Sequence, residues 1–249
     1  MSIILKSERE IDLMRQAGQI VAAVLEKLKS EVRAGITTKE LDDIAVKEVT
    51  RLGATPSFKG YHGYPASICV SINEEIVHGI PDERALKAGD VVSIDFGAIY
   101  KGFQGDAAVT VGVGKLKPEV DKLLSTTEGA LQAGIEASQA GARLGDVSHA
   151  IQTYVESRGF AVIREYTGHG IGREMHEDPQ IPNFGIPGQG PFLKKGMTFA
   201  LEPMVTMGDW RTKVADNHWT VSTLDGSLAA HFEHSIAVTD GAARVLTVL

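Results

Sequence analysis

The chain has 249 residues, 43% of them apolar and 23% charged, enough to bury one large core or two small ones. Its net charge of -7 is spread without acidic or basic runs, which argues against a nucleic-acid footprint or a membrane-binding face and favours small molecules or peptides. A single cysteine, Cys69, excludes an internal disulfide and a cysteine zinc site, so any metal must be held by oxygen and nitrogen.

The amino terminus, MSIILKSERE, turns charged after three apolar residues and offers no signal-peptide core. No later apolar run reaches membrane-spanning length, so the expected location is the cytoplasm. Ser7 and Glu10 form a capping-box signature, and Ile11, Met14, Ala17, Ile20, Val21, Val24, Leu25 and Leu28 recur at helical spacing behind it. Thr37 and Glu40 repeat the signature before Leu41, Ile44, Ala45, Val49 and Leu52, a second helix stopped at Gly53. A turn-rich segment, PSFKGYHGYP, leads to a strand, ASICVSI, and a loop, NEEIVHGIPDERALKAGD.

The stretch from Val91 to Val113, VVSIDFGAIYKGFQGDAAVTVGV, reads as a hairpin turning at Tyr100-Lys101-Gly102. If the turn is centred on Tyr100 and Lys101, Asp95 and Asp106 are directly opposite; a shift by one residue makes them diagonal neighbours on one face. Either way two carboxylates stand side by side in an apolar setting, and that arrangement requires a compensating cation.

Pro118 suits the first turn of a third helix carrying Val120, Leu123, Leu124, Ala130, Leu131 and Ile135. Asp146 is expected to cap a fourth, carrying Val147, Ile151 and Val155 and ending at Gly159. A slide of 106 positions aligns Gly35 with Gly141, Leu41 with Val147, Val49 with Val155 and Gly53 with Gly159. The faint repeat predicts one pseudo-symmetric α+β domain over 1–249, with halves of about 1–113 and 114–249 sharing a sheet.

With seven glycines and four prolines, TGHGIGREMHEDPQIPNFGIPGQGPFLKKG is expected to be a long ordered loop. MTFALEPMVTM, HWTVSTLDG, AAHFEHSIAVTD and ARVLTVL then read as strands. Two carry an acid among apolar residues, Glu202 and Glu233. With Asp95, Asp106 and His169 they make four carboxylates and an imidazole, a donor set suited to a pair of Mn, Fe, Co or Zn ions. Bridging carboxylates would hold such ions roughly 3.5–4 Å apart. No one position decides the matter, because an acid in a strand usually faces solvent and a lone histidine is usually a hydrogen-bonded or surface residue. Asp95 shares parity with Ser93 and could lie on a polar face, whereas Glu202 has apolar neighbours on both sides.

From Ile4 onward the chain resembles the type I methionine aminopeptidases of the pita-bread metallohydrolase superfamily. The matching stretches are GYHGYPASICVSINEEIVHGIP, SIDFGAIYKGFQGDAAVTV, TGHGIGREMHEDP, FALEPMV and FEHSIAVT. The resemblance implies an α+β pita-bread fold with pseudo-two-fold helix-helix-strand halves around an antiparallel sheet. It implies removal of the initiator methionine by a water activated between two divalent ions, with a preference for a small second residue.

Asp95 would chelate one ion, His169 and Glu202 mainly the other, and Asp106 and Glu233 would bridge; Glu202 would also accept the water's proton. His176 would donate to the scissile carbonyl, and His78 would contact the scissile amide. The methionine pocket would be lined by Phe58, Tyr61, Tyr64, Cys69, His78, Met175 and Trp219, with Met175 departing from the phenylalanine of many relatives. Implied partners are peptide and nascent-chain N-termini, met by a monomer whose contact with the ribosome, if any, is transient and made by the domain's own surface. A prolidase or Xaa-Pro aminopeptidase would carry an additional N-terminal domain and lack the GYHGYP segment. A non-catalytic pita-bread binding module would have lost ligands, and here all five are present.

Overall fold

The computed structural model describes residues 2–249. Four helices form where the apolar spacing predicts them: α1 Glu8–Glu31, α2 Thr38–Arg51, α3 Pro118–Ala137 and α4 Leu144–Glu156. The two capping boxes are made, Ser7 and Thr37 each accepting from the N–H of the glutamate three residues on, whose carboxylate returns to the cap N–H. Asp146 does not cap α4. The helix starts three residues earlier than that cap would give, and Asp146 accepts from the Arg143 N–H at 2.7 Å, the reciprocal half of a capping box whose cap guanidinium has no acceptor to offer.

The strands are β1 Thr55–Pro56, β2 Cys69–Ile72, β3 Glu75–Val77, β4 Val91–Tyr100, β5 Phe103–Gly112, β6 Ala161–Val162, β7 Thr167–Gly170, β8 Glu177–Pro182, β9 Thr198–Leu201, β10 Met204–Thr206, β11 Thr212–Val214, β12 Val221–Thr223, β13 Ala229–His231, β14 Glu233–Ala237 and β15 Arg244–Val245. The main antiparallel sheet runs β1-β4-β5-β14-β9-β7-β8, with β2 also on β4 and β15 on β14, so both halves of the chain share it. Two three-stranded sheets, β13-β10-β6 and β11-β12-β3, pack on each other through Ile76, Val77, Met204, Val221 and Ala229.

The hairpin turns on Lys101 and Gly102, at φ 50° and 77°, the conformation a two-residue hairpin needs. Asp95 therefore pairs with Ala108 and Asp106 with Gly97, which makes the two acids diagonal neighbours. Val92, Ile94, Phe96, Ala98 and Ala107 pack under α1 and α2, so alternation turns Ser93, Asp95, Asp106 and Thr110 to the opposite face. That face is polar yet buried, which is why parity alone left Asp95 ambiguous. The second half repeats the plan: Phe199, Leu201, Ile236 and Val238 share a core with α3 and α4, while Glu202 and Glu233 point the other way.

The glycine-rich stretch is not one loop. Its beginning forms β7 and β8, and prolines 179 and 182 are tolerated because β8 is an edge strand with one side free of a partner. FALEPMV is interrupted at Glu202-Pro203, where the missing proline N–H breaks the ladder between β9 and β10. The carboxyl-terminal strand shrinks to Arg244–Val245, and β3 forms inside the expected loop.

Candidate metal centre and peptide pocket

A cavity of about 220 Å³ opens on the polar face of the main sheet. Its wall includes every residue singled out from the sequence: Asp95, Asp106, His169, Glu202 and Glu233 at one end, His78 and His176 beside them, and Phe58, Tyr61, Tyr64, Cys69, Met175 and Trp219 at the other. The hairpin supplies the two aspartates, β7 supplies His169, the β9–β10 break supplies Glu202 and the first residue of β14 is Glu233. Glycines on both sides of His169 allow β7 to approach its neighbours. A Cβ at Gly168 would lie 2.5 Å from the Ala200 carbonyl oxygen, and one at Gly170 would lie 2.2 Å from that of Asp178.

His169 is nearly buried, and its Nδ1 lies 2.9 Å from the Gly170 carbonyl oxygen. A carbonyl only accepts, so Nδ1 carries the proton and Nε2 presents a lone pair. Burial, assisted by His176, pushes this imidazole down to about 3, so it is neutral near pH 7. Its Nε2 stands 3.5 Å from Glu202 Oε1. The two acceptor atoms form no ion pair at that distance, and a shared proton or a bound cation would relieve their contact.

Asp95 Oδ1, Asp106 Oδ1 and Glu233 Oε1 are buried without a hydrogen-bond partner. One ligand atom each from Asp106, His169 and Glu233 lies within 4.8 Å of the other two. Burial pushes Asp95, Glu202 and Glu233 well above the usual carboxylate range, with Asp106 adding to all three, and raises Asp106 itself to about 7. Such groups stay charged only beside a positive partner. Orphaned oxygens, a free imidazole lone pair and an all-oxygen-and-nitrogen donor set thus fit divalent metal ions.

His176 is the second polar anchor. Tyr61 Oη is 2.8 Å from its Nδ1, and the two rings stack at 5.4 Å. Burial raises the Tyr61 hydroxyl and lowers His176, so both are neutral, and the phenol donates to Nδ1. The proton of the ring is left on Nε2, where it can be offered to a bound carbonyl. His78 is held at φ 61°, an uncommon conformation for a side chain with a Cβ, and its ring is pushed down to about 4 by burial, with His176 adding to this.

The apolar end is closed by Phe58, Tyr64, Ala66, Cys69 and Met175 as one packed cluster. Tyr64 donates to the carbonyls of Ile68 and Gly79 at 3.1 and 2.9 Å, and Trp219 meets its ring edge-on at 5.1 Å. Burial pushes the Cys69 thiol up, so it serves as a small apolar wall and not as a thiolate. Two histidines escaped the sequence reading. His62 lines the cavity from within GYHGYP, and His231 lies beneath Glu202 and Glu233. For His231 the signal was available: a strand residue two before Glu233 shares its face.

Residues 12–240 match the model of metallopeptidase family M24. The methionine aminopeptidase of Clostridium perfringens is 53% identical over 247 residues, covering 99% of each chain. A crystal structure of a methionine aminopeptidase from Thermotoga maritima superposes with a TM-score of 0.98 at 48% identity, over 100% of both chains. A prolidase from Pyrococcus furiosus shares the fold, with a TM-score of 0.81 at 21% identity, covering 99% of this chain and 66% of that one.

Proposed function

The chain belongs to metallopeptidase family M24 and within it to the methionine aminopeptidases of the pita-bread fold, and from that premise we propose how its own residues perform the reaction. It is a metallopeptidase that removes the N-terminal methionine of peptides and proteins. The observation that carries the proposed site is the contiguity of an apolar pocket with the buried acid cluster, which supports a methionine side chain at one end and its carbonyl at the other.

Asp95, Asp106, His169, Glu202 and Glu233 would hold two divalent ions. When bound, these ions supply Lewis-acid activation of water and polarisation of the scissile carbonyl. The residues do the rest. Phe58, Tyr64, Cys69, Met175 and Trp219 enclose the thioether and set its depth. His176, its Nδ1 occupied by Tyr61, donates from Nε2 to the carbonyl oxygen as it gains negative charge. Glu202 takes a proton from the attacking water and returns it to the departing amine. His78 contacts the scissile amide.

A second depression shares His78, His176 and Glu202 with the first and adds Tyr166 and Gln180, giving the remainder of the peptide a polar way out. The second residue of the substrate must pass between these walls, which supports the preference for a small side chain. The reading includes one catalytic domain made of both halves, supported by their shared sheet, and action as a monomer on nascent chains in the cytoplasm. Among the described residues no helix is long and apolar enough to cross a membrane. Turnover of a Met-X-Ser peptide series tests the size limit: kcat/KM should fall steeply from X = Gly, Ala and Ser to X = Leu, and equal turnover across the series would reject it.

A further inference from the structure

One buried side chain beside the acid cluster is not used by the reaction as described. Leu201 pairs with His234 and Met204 with His231, so across the break between these ladders Glu202 stands opposite Glu233, with His231 diagonal to Glu202. All three share one face. The His231 side chain is 2% exposed, and its Nε2 lies 3.9 Å from Glu202 Oε2 and 3.8 Å from Glu233 Oε2.

That nitrogen is buried with no hydrogen-bond partner. The His231 main chain is fastened to the hairpin: its N–H donates to Thr110 Oγ1 at 2.9 Å, and the Thr110 hydroxyl donates back to its carbonyl at 2.6 Å. The ring is therefore aimed at the two carboxylates from an anchored backbone. An orphaned nitrogen is costly in an interior, and an apolar residue would fill the space without that cost.

We propose that His231 is a positioning residue of the metal centre, directing its Nε2 hydrogen between the carboxylates of Glu202 and Glu233 and fixing the orientation in which they receive cations. Carboxylates only accept, so the nitrogen facing them is the protonated one in the neutral ring. The present separations exceed a closed hydrogen bond by about 1 Å, within reach of a carboxylate torsion. Groups that hydrogen-bond to metal ligands set their orientation and affinity in this way. The inference rests on the ligand assignment proposed above.

The test uses the full chain, stripped with chelator and titrated with Mn²⁺ by calorimetry, for the wild type and His231→Leu, His231→Gln and Asp106→Ala. His231→Leu should weaken Mn²⁺ binding about 10–100-fold. His231→Gln, which keeps an N–H donor, should recover most of the affinity. Should the leucine variant not fold, His231→Met takes its place with the same expectations. Binding by the apolar variant within twofold of wild type would overturn the proposal, as would a glutamine variant that binds as weakly as the apolar one. Asp106→Ala separates the two levels: normal Mn²⁺ binding by it would sink the ligand assignment itself. Lost binding there with a silent His231→Leu would sink only the role of His231.

Discussion

Asp95 and Glu202 are equivalent residues of the two halves of the molecule, each six positions beyond a glycine with φ near 90°, Gly89 and Gly196. The surrounding turns match bond for bond. Gly89 N–H donates to Val113 at 2.8 Å and Gly196 N–H to Val238 at 3.1 Å, while Val113 and Val238 return bonds to Asp90 and Met197 at 2.9 and 2.8 Å. The same turn thus launches β4 with an aspartate and β9 with a glutamate, and the two strands deliver their acids to one cavity. The acid cluster is built by the repeated turn and strand of the two halves, and its repulsion is intrinsic to that plan.

In metal-free protein, burial holds the four acids above their ordinary range, Asp106 reaching about 7 from 3.8. From about pH 4 upward the folded state then binds more protons than the unfolded one. The stability this confers is complete below the unfolded values and is lost as pH rises through the folded ones. Chelated protein should melt lower than metal-loaded protein, and the gap should widen from pH 5 to pH 8. Scanning fluorimetry with EDTA or Mn²⁺ reads it; a gap that narrows toward pH 8 contradicts the electrostatics.

His176→Ala should lower kcat about 10²–10³-fold, the effect of losing one donor to a developing oxyanion, with metal content intact. Tyr61→Phe should cost less, since it removes only the bond that holds the ring. Steady-state kinetics with metal analysis decides. Equal activity of His176→Ala and wild type removes His176 from the reaction.

Met175 is 5% exposed and packs with Phe58, Tyr64 and Cys69. Met175→Ala should destabilise by about 2 kcal/mol or more and deepen the pocket. Preference for methionine over leucine or phenylalanine at the first position should fall, about 10-fold or more in the ratio of kcat/KM values. An unchanged ratio would mean that Met175 does not bound the pocket.

Gly105 faces α1 so closely that a Cβ there would lie 2.7 Å from the Gly18 nitrogen. Gly105→Ala should cost about 1–3 kcal/mol through overpacking. At about 2–4 °C per kcal/mol, calorimetry should show a clear fall in Tm. An unchanged Tm would show that α1 does not rest backbone-to-backbone on the hairpin.

Much of this plan was legible before folding was considered. Capping boxes at Ser7 and Thr37 and apolar spacing placed the helices, because those signals are local. The five acid-cluster residues stand out as acids in apolar strands and a histidine in the glycine-rich stretch, whereas their roles and the pocket come only through motif resemblance; the structure brings them all to one cavity. Non-local pairing was not legible. Strands such as β1, β6 and β15 span two residues, too short to carry a period, and β7 and β8 hide under glycines and prolines that act as turn signals elsewhere. The helices repeat at an offset of 106, whereas from Leu86 and Leu193 to Asp95 and Glu202 the offset is 107, and the extra residue conceals the correspondence of Asp95 with Glu202. His231 was missed because it belongs to no quoted ligand pattern, only to the face of a strand.

In the proposed function, divalent ions held by Asp95, Asp106, His169, Glu202 and Glu233 drive methionine release. Chelator-stripped protein titrated with Mn²⁺, with bound metal and methionine release from Met-Ala-Ser followed in one experiment, tests it most directly. Release should be absent without metal, rise with occupancy and level off by two ions per chain. Full release from metal-free protein, or metal binding that leaves release unchanged, would contradict it.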